Sequence, residues 1–141
     1  MLLSAHSGGP RQVADASLAG LMAGERLAEI TAQARAMMAS GRGRDLLLMP
    51  GWWYVTSAES FLDRMASMPA ILELAPHIAC PTLFIRGDQE SRDTYPAEEF
   101  RTRAPRCEVA IIADCDHFYV GRETAVIQPV AGWLARTCGI R

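Results

Sequence analysis

The feature that most constrains this chain is a change of hydrophobic pattern after about residue 80. Two apolar runs, at residues 81–87 and 107–113, have the length and composition of buried strands, and a glycine turn closes the first run. Residues 96–103 and 123–135 instead show apolar side chains at helical spacing. A strand, helix, strand, helix order favours parallel strands joined by right-handed crossovers. We therefore predict an α/β fold in which the two strands are adjacent and parallel.

The first part of the chain has a different pattern. Residues 2–4 predict a short strand, residues 13–23 a helix rich in alanine, and the apolar spacing from about residue 25 a second helix that ends at Gly41. Residues 46–49 are a weak strand candidate, and a further helix is expected to begin near residues 57–60. We predict a block that is helical apart from one aromatic loop. The last helix of the chain is expected to bury Val126, Ile127, Val130, Trp133 and Leu134.

Charge and composition exclude several classes of function. The 141 residues include 14 Lys and Arg and 16 Asp and Glu, spread along the chain, so there is no basic field for nucleic acid. No apolar run approaches the roughly 18 residues that span a membrane, and the apolar start lacks the basic region of a signal peptide. The 4 cysteines have neither zinc-site nor disulfide-framework spacing, which favours a reducing, cytoplasmic setting.

Polar side chains that could carry chemistry follow both predicted strands. Asp88 and Glu90 come directly after the first strand, and His117 follows the second. Because functional groups gather at the carboxyl ends of parallel strands, we expect one of these carboxylates to lie within hydrogen-bonding reach of His117. A carboxylate in that position fixes the tautomer of an imidazole and stabilises its protonated form. The alternatives are a solvated turn for the two acids and an ordinary surface histidine.

Three segments carry a resemblance to a known family. Residues 80–90 (CPTLFIRGDQE) resemble the seventh strand and acid turn of α/β-hydrolases, residues 116–119 (DHFY) resemble their histidine loop, and residues 130–134 (VAGWL) resemble their closing helix. The resemblance implies a partial α/β-hydrolase fold spanning residues 1–141. Within it, residues 8–77 would be a helical cap, and residues 78–141 the strand, helix, strand, helix end of the core.

The same resemblance assigns roles to the polar residues. Glu90 is at the acid position and His117, 27 positions later, is at the position of the catalytic histidine. Aspartate is commoner at the acid position, so the glutamate is a departure from the family pattern, and Asp88 stays an alternative acid. Phe118 follows the histidine and is predicted to contact substrate.

The sequence offers two positions for the nucleophile. Residues 5–9 (AHSGG) fit the A-x-S-x-G variant of the nucleophile elbow, which would make Ser7 the nucleophile. An elbow leads into one helix and then another buried strand, whereas two predicted helices and an aromatic loop follow Ser7. The resemblance is better satisfied if residues 2–5 are the sixth strand of the fold and Ser7 begins the cap. The catalytic serine and the first five strands would then lie upstream of Met1.

Aromatic residues and the remaining acids complete the candidate sites. Trp52, Trp53 and Tyr54 resemble cap residues that line an acyl or alkyl pocket, and packing of the cap onto the sheet is the alternative. Residues 114–117 (DCDH) are too close in sequence to surround a metal, so we expect neither a metal nor a cofactor.

Two functions from different classes follow. The first is an esterase-like hydrolase module acting on a small, partly apolar ester by a Ser-His-acid triad, with the serine outside this chain. The second is a non-catalytic interaction or dimerisation remnant with a vestigial site. In either case an open sheet edge favours self-association or pairing with a missing N-terminal half. Nucleic-acid and membrane partners are not expected.

Overall fold

The structure is a computed structural model that describes residues 1–51 and 54–139. The chain divides into two compact units: residues 1–7 with 71–141, called here the sheet unit, and residues 8–70, called the inserted unit. The division falls after residue 70, whereas the sequence predicted a cap that ends at residue 77. Ile71 and Ala75 belong to the same apolar cluster as Phe84 of the sheet unit.

The elements follow one another in this order: β1 (Leu2–Leu3), α1 (Gln12–Leu18), α2 (Leu27–Ala39), β2 (Leu46–Met49), β3 (Tyr54–Ser57), α3 (Ala58–Ser67), α4 (Ile71–Leu74), β4 (Thr82–Gly87), α5 (Ala97–Arg103), β5 (Cys107–Ile112) and α6 (Glu123–Cys138). Short 3-10 turns precede α2, at Gly24–Arg26, and follow α4, at Ala75–His77.

The sheet unit is built on a three-stranded parallel sheet with the order β1, β4, β5. Leu2 is paired with Phe84 on one side of β4, and Thr82 is paired with Cys107 on the other. The predicted adjacent and parallel arrangement of the two late strands is therefore confirmed. The α/β class is confirmed as well.

Side chains along β4 alternate between the two faces of this sheet. Phe84 points to one face and packs edge-on against Phe100 of α5, with ring centroids 5.4 Å apart. Leu83 and Ile85 point to the other face, where they join Trp133 of α6 in a separate core. Because β4 is covered by helices on both faces, all six of its residues are buried.

The closing helix buries less apolar surface than its sequence predicts. Trp133 is buried and Val126 and Val130 pack against it, as expected. Ile127 and Leu134, however, are 62% and 38% exposed. These two residues lie seven positions apart, and so share a helix face that turns away from the core.

The inserted unit contains a β-hairpin that the sequence did not predict. β2 and β3 pair antiparallel, so this region is not purely helical and Tyr54 lies in a strand instead of a loop. Along β2, Leu47 and Met49 are buried, whereas Leu46 and Leu48 are exposed. A run of four apolar residues hides this alternation, because period two is visible in a sequence only when the outer face is polar.

The first helix of the inserted unit is shorter than predicted. α1 ends at Leu18, which is 87% exposed, because Gly20 adopts a φ of +80° and turns the chain. Met22 and Ala23 follow this turn and are buried in the core of the unit. α2 and α3 form where the sequence predicted helices, and Ser57 caps α3 by accepting a hydrogen bond from the Ser60 N–H.

None of the helices in the described residues combines the length and apolar character needed to cross a bilayer. The four cysteines are free thiols. Cys115 is buried in the core beneath α6, whereas Cys80 and Cys138 are exposed.

The end of β4 lies unusually close to the loop after β5. A Cβ built on Gly87 would lie 2.2 Å from the Cys115 carbonyl oxygen and 3.0 Å from that of Asp116. Only glycine permits this approach, because both obstacles are backbone atoms. The close packing of these two segments therefore depends on Gly87.

We predict that Gly87→Ala lowers the free energy of unfolding by about 2–3 kcal/mol, since a backbone segment must shift to admit the methyl group. Urea unfolding followed by circular dichroism measures this loss. Gly132→Ala is the matched control, because its Cβ would meet only the end of the Arg136 side chain, at 3.4 Å. Because alanine is favoured over glycine inside a helix, Gly132→Ala should raise the free energy of unfolding by about 0.5–1 kcal/mol. Equal effects of the two substitutions would contradict the steric argument.

Candidate functional site

The candidate site lies at the carboxyl ends of β4 and β5. Two backbone hydrogen bonds join the segments: the Asp88 N–H donates to the Ile112 carbonyl at 2.9 Å, and the Gln89 N–H donates to the Cys115 carbonyl at 3.1 Å. We call residues 87–90 the acid turn and residues 114–119 the histidine loop. Because the strands are parallel neighbours, both segments emerge at the same edge of the sheet.

Glu90 and His117 meet across these segments. The Nδ1 atom of His117 lies 2.8 Å from Oε1 of Glu90. The glutamate side chain is only 3% exposed, whereas the imidazole is 46% exposed. The prediction that one of the two acids reaches His117 is therefore confirmed, for Glu90. Nε2 of His117 has no hydrogen-bond partner within residues 1–51 and 54–139, and is the nitrogen available for proton transfer.

Asp88, the alternative acid, has different partners. Its Oδ2 accepts a hydrogen bond from the Asp114 N–H and its Oδ1 accepts one from the Cys115 N–H, both at 3.0 Å. These bonds, the one from Cys115 foremost, hold the pKa of Asp88 below its usual value. Asp88 therefore ties the acid turn to the histidine loop, while Glu90 contacts the imidazole.

The second oxygen of Glu90 accepts hydrogen bonds from three groups. Oε2 lies 2.7 Å from Ser4 Oγ, 2.7 Å from the Gly87 nitrogen and 3.3 Å from the Tyr119 hydroxyl. Ser4 and Tyr119 also contact one another through their hydroxyls. Sequence reasoning missed both residues. Ser4 could have been found, because it is the first polar residue after β1 and so occupies the same kind of position as the acid turn.

A buried arginine holds the backbone of the acid turn. Arg86 is 1% exposed, and its Nη1 donates to the carbonyls of Gly87 at 2.6 Å and Glu90 at 3.1 Å. Its Nη2 donates to Glu98 at 2.6 Å, which neutralises the buried guanidinium. Partial burial is the largest single influence and acts to raise the pKa of Glu98. The bond from Arg86, a backbone hydrogen bond and the charges of Arg86 and Arg92 together outweigh it, so the pKa is lowered. The sequence placed Arg86 in the strand without predicting this role.

Ser7 contacts His6 and Thr94. Its Oγ lies 3.2 Å from Nδ1 of His6, and its N–H donates to the Thr94 carbonyl at 2.7 Å. The His6 ring contacts the edge of Tyr95, whose ring in turn stacks on His117 with centroids 5.2 Å apart. In the described part of the chain, no hydrogen bond joins Ser7 to His117. The nucleophile hypothesis for Ser7 therefore has no geometric support here.

The predicted substrate-binding aromatics are distributed over different parts of the chain. Phe118 is 74% exposed and its ring lies edge-on to His117, with centroids 5.7 Å apart. Tyr54 packs against the core of the inserted unit. Trp52 and Trp53 lie outside the described residues. Tyr95, which the sequence did not single out, stacks on the imidazole, with ring centroids 5.2 Å apart.

The histidine loop offers no metal site among the described residues, where no group of three His, Cys, Asp or Glu could hold a metal ion. Cys115, in the middle of the loop, is buried, and burial raises the pKa of its thiol. Its Sγ donates to the Asp116 carbonyl at 3.4 Å.

Comparison of the chain with protein-family models, with curated proteins and with solved structures found no match.

We predict that Asp88→Asn destabilises the chain at neutral pH, and that the difference from the wild type closes in acid. The folded-state pKa of Asp88 is lowered, so its carboxylate stabilises the fold above the unfolded value of 3.8. That stabilisation is lost as the pH falls through the folded pKa. Thermal unfolding of both proteins between about pH 7 and pH 2 measures the difference. Asp93→Asn, at an exposed aspartate in the same region, is the control. If the difference in stability between the wild type and Asp88→Asn did not change with pH, the stabilising role of the Asp88 carboxylate would be contradicted.

Proposed function

We propose that this chain carries the acid and the histidine of an esterase-like α/β-hydrolase. Glu90 orients His117, and His117 acts first as general base and then as general acid. The observation that supports this most strongly is the 2.8 Å contact between a buried carboxylate and Nδ1 of a half-exposed imidazole, at the ends of adjacent parallel strands. The parallel order of β1, β4 and β5 fits the end of such a fold.

The chemistry follows from which nitrogen is occupied. Because Nδ1 donates to Glu90, the unprotonated lone pair of a neutral His117 is at Nε2. Nε2 would take the proton from a serine hydroxyl as the hydroxyl attacks an ester carbonyl, and would return it to the leaving alcohol. Glu90 stabilises the imidazolium formed between these steps, and the ring keeps one orientation throughout.

The nucleophile in this proposal is a serine outside residues 1–141. Ser7 follows β1, but its hydroxyl contacts His6. The hydroxyl of Ser4 donates to Glu90, so its proton is directed to the acid and not to the histidine. In this proposal, the attacking serine and the donors that stabilise the oxyanion come from another segment or polypeptide.

The substrate class follows from the groups around His117. Tyr95 stacks on the imidazole and Phe118 lies edge-on to it, so both present aromatic surface beside His117. Aromatic walls beside a catalytic base favour a small, partly apolar acyl or alkyl group. We place the activity in the cytoplasm, because the four free cysteines suit a reducing compartment.

We predict that the purified chain does not hydrolyse p-nitrophenyl butyrate above the buffer rate and is not labelled by a fluorophosphonate probe. The reason is that within residues 1–51 and 54–139 no serine hydroxyl is hydrogen-bonded to His117. If Ser7 were the nucleophile, labelling would appear and would vanish in both Ser7→Ala and His117→Ala. Loss of one member of a working triad costs about 10³-fold or more, so the assay separates the cases clearly.

The function itself is tested in the cells that naturally produce the chain. Three strains are made in which the native gene carries His117→Ala, Glu90→Gln or His77→Ala, in that order. Serine hydrolases in each strain are then labelled with a fluorophosphonate probe. We predict that one labelled serine hydrolase disappears in the first two strains and persists in the third, because His77 is an exposed histidine of a 3-10 turn. Unchanged labelling in the His117→Ala strain would contradict the proposal and favour a non-catalytic interaction role.

A further inference from the structure

The acid of this site has one more rotatable bond than the aspartate that is commoner at its position. A glutamate carboxylate can turn about its last torsion and also swing about the one before it, so one hydrogen bond does not fix it. In the structure the carboxylate accepts at both oxygens. Oε1 is at His117, whereas Oε2 is occupied by Ser4, the Gly87 N–H and Tyr119.

The direction of each hydrogen bond among Ser4, Tyr119 and Glu90 follows from which of these groups has a proton to donate. A carboxylate only accepts, so the single proton of Ser4 lies on its 2.7 Å bond to Oε2. The Ser4 oxygen then accepts from the Tyr119 hydroxyl, whose single proton is shared with Oε2 at 3.3 Å. Tyr119 carries its proton at neutral pH, and burial, above all, raises its pKa further, to about 12. The two hydroxyls therefore form a short chain of hydrogen bonds that ends on Oε2.

The backbone at these two residues supports a specific role. Ser4 has a φ of +40° and Tyr119 a φ of +57°, in the left-handed region that residues other than glycine rarely adopt. Such conformations persist where the surrounding structure holds them. Here the two residues come from opposite ends of the chain, 115 positions apart, and meet at one carboxylate oxygen.

We propose that Ser4 and Tyr119 are positioning residues that fix the Glu90 carboxylate, so that Oε1 faces Nδ1 of His117. Together with the Gly87 N–H they occupy Oε2, and so restrict the extra torsion that glutamate has and aspartate lacks. The imidazole is thereby held in the tautomer with its proton on Nδ1 and its lone pair on Nε2. As a statement about catalysis this inference rests on the proposed function, but its structural content is measurable in the isolated chain.

The test is the tautomer ratio of His117, read from its ¹⁵N chemical shifts at a pH above its titration. We compare the wild type with Ser4→Gly, Tyr119→Phe and the double variant. Ser4→Gly removes the hydroxyl and suits the positive φ, and Tyr119→Phe keeps the ring, so both variants are expected to fold. The wild type should hold mostly the Nδ1–H form. In the double variant Oε2 keeps only the Gly87 N–H as a donor, so the carboxylate is held less firmly and the ratio of Nδ1–H to Nε2–H should fall below the wild-type ratio.

Tyr95→Phe is the matched control. It removes a hydroxyl that has no hydrogen bond to Glu90 and keeps the ring that stacks on His117, so the tautomer ratio should not change. Urea unfolding of each variant reports on the fold separately. A double variant that keeps the wild-type ratio would overturn the inference, even if its unfolding midpoint fell, because the hydroxyls would then be merely structural. The serine-labelling result in cells does not depend on this ratio, so failure of the inference and failure of the proposed function remain distinguishable.

Discussion

The buried carboxylate of Glu90 is the constraint around which the sheet unit is arranged. Removing a carboxylate from water is costly unless hydrogen bonds replace its hydration. With a side chain 3% exposed, Glu90 obtains them from His117, the Gly87 N–H, Ser4 and Tyr119. The donors come from the ends of all three strands, so the carboxylate both needs the parallel sheet and links its strands at one edge.

The surrounding contacts hold the backbone that carries this side chain. Arg86 donates to the carbonyls of Gly87 and Glu90 from inside the core, and Asp88 accepts from two backbone N–H groups of the histidine loop. Gly87 permits the close approach of the two segments. Arg86 and Asp88 thus fix the backbone of the acid turn. Ser4, Tyr119 and His117 contact the carboxylate of Glu90 itself.

Local sequence patterns predicted the late strands and helices of the sheet unit and the contact of Glu90 with His117, whereas the contacts that Ser4 and Arg86 make at the site were not predicted. The apolar run of β4 and its glycine turn place Glu90 at a strand end, and the same rule places His117. Ser4 and Arg86 were not predicted as parts of the site, because the bond from Ser4 to Glu90 spans 86 positions and that from Arg86 to Glu98 crosses from strand to helix. The hairpin was missed because Leu46 and Leu48 are apolar on its exposed face.

The most direct test of this account is a proton spectrum of the wild-type chain that locates the Nδ1–H of His117. A hydrogen bond from an imidazole to a buried carboxylate moves this proton far downfield of the amide region and slows its exchange with water. The account predicts one such resonance, absent in His117→Ala and Glu90→Ala and present in His6→Ala and His77→Ala. A wild-type spectrum without it, or a resonance that survives Glu90→Ala, would contradict the pairing on which the proposed chemistry depends.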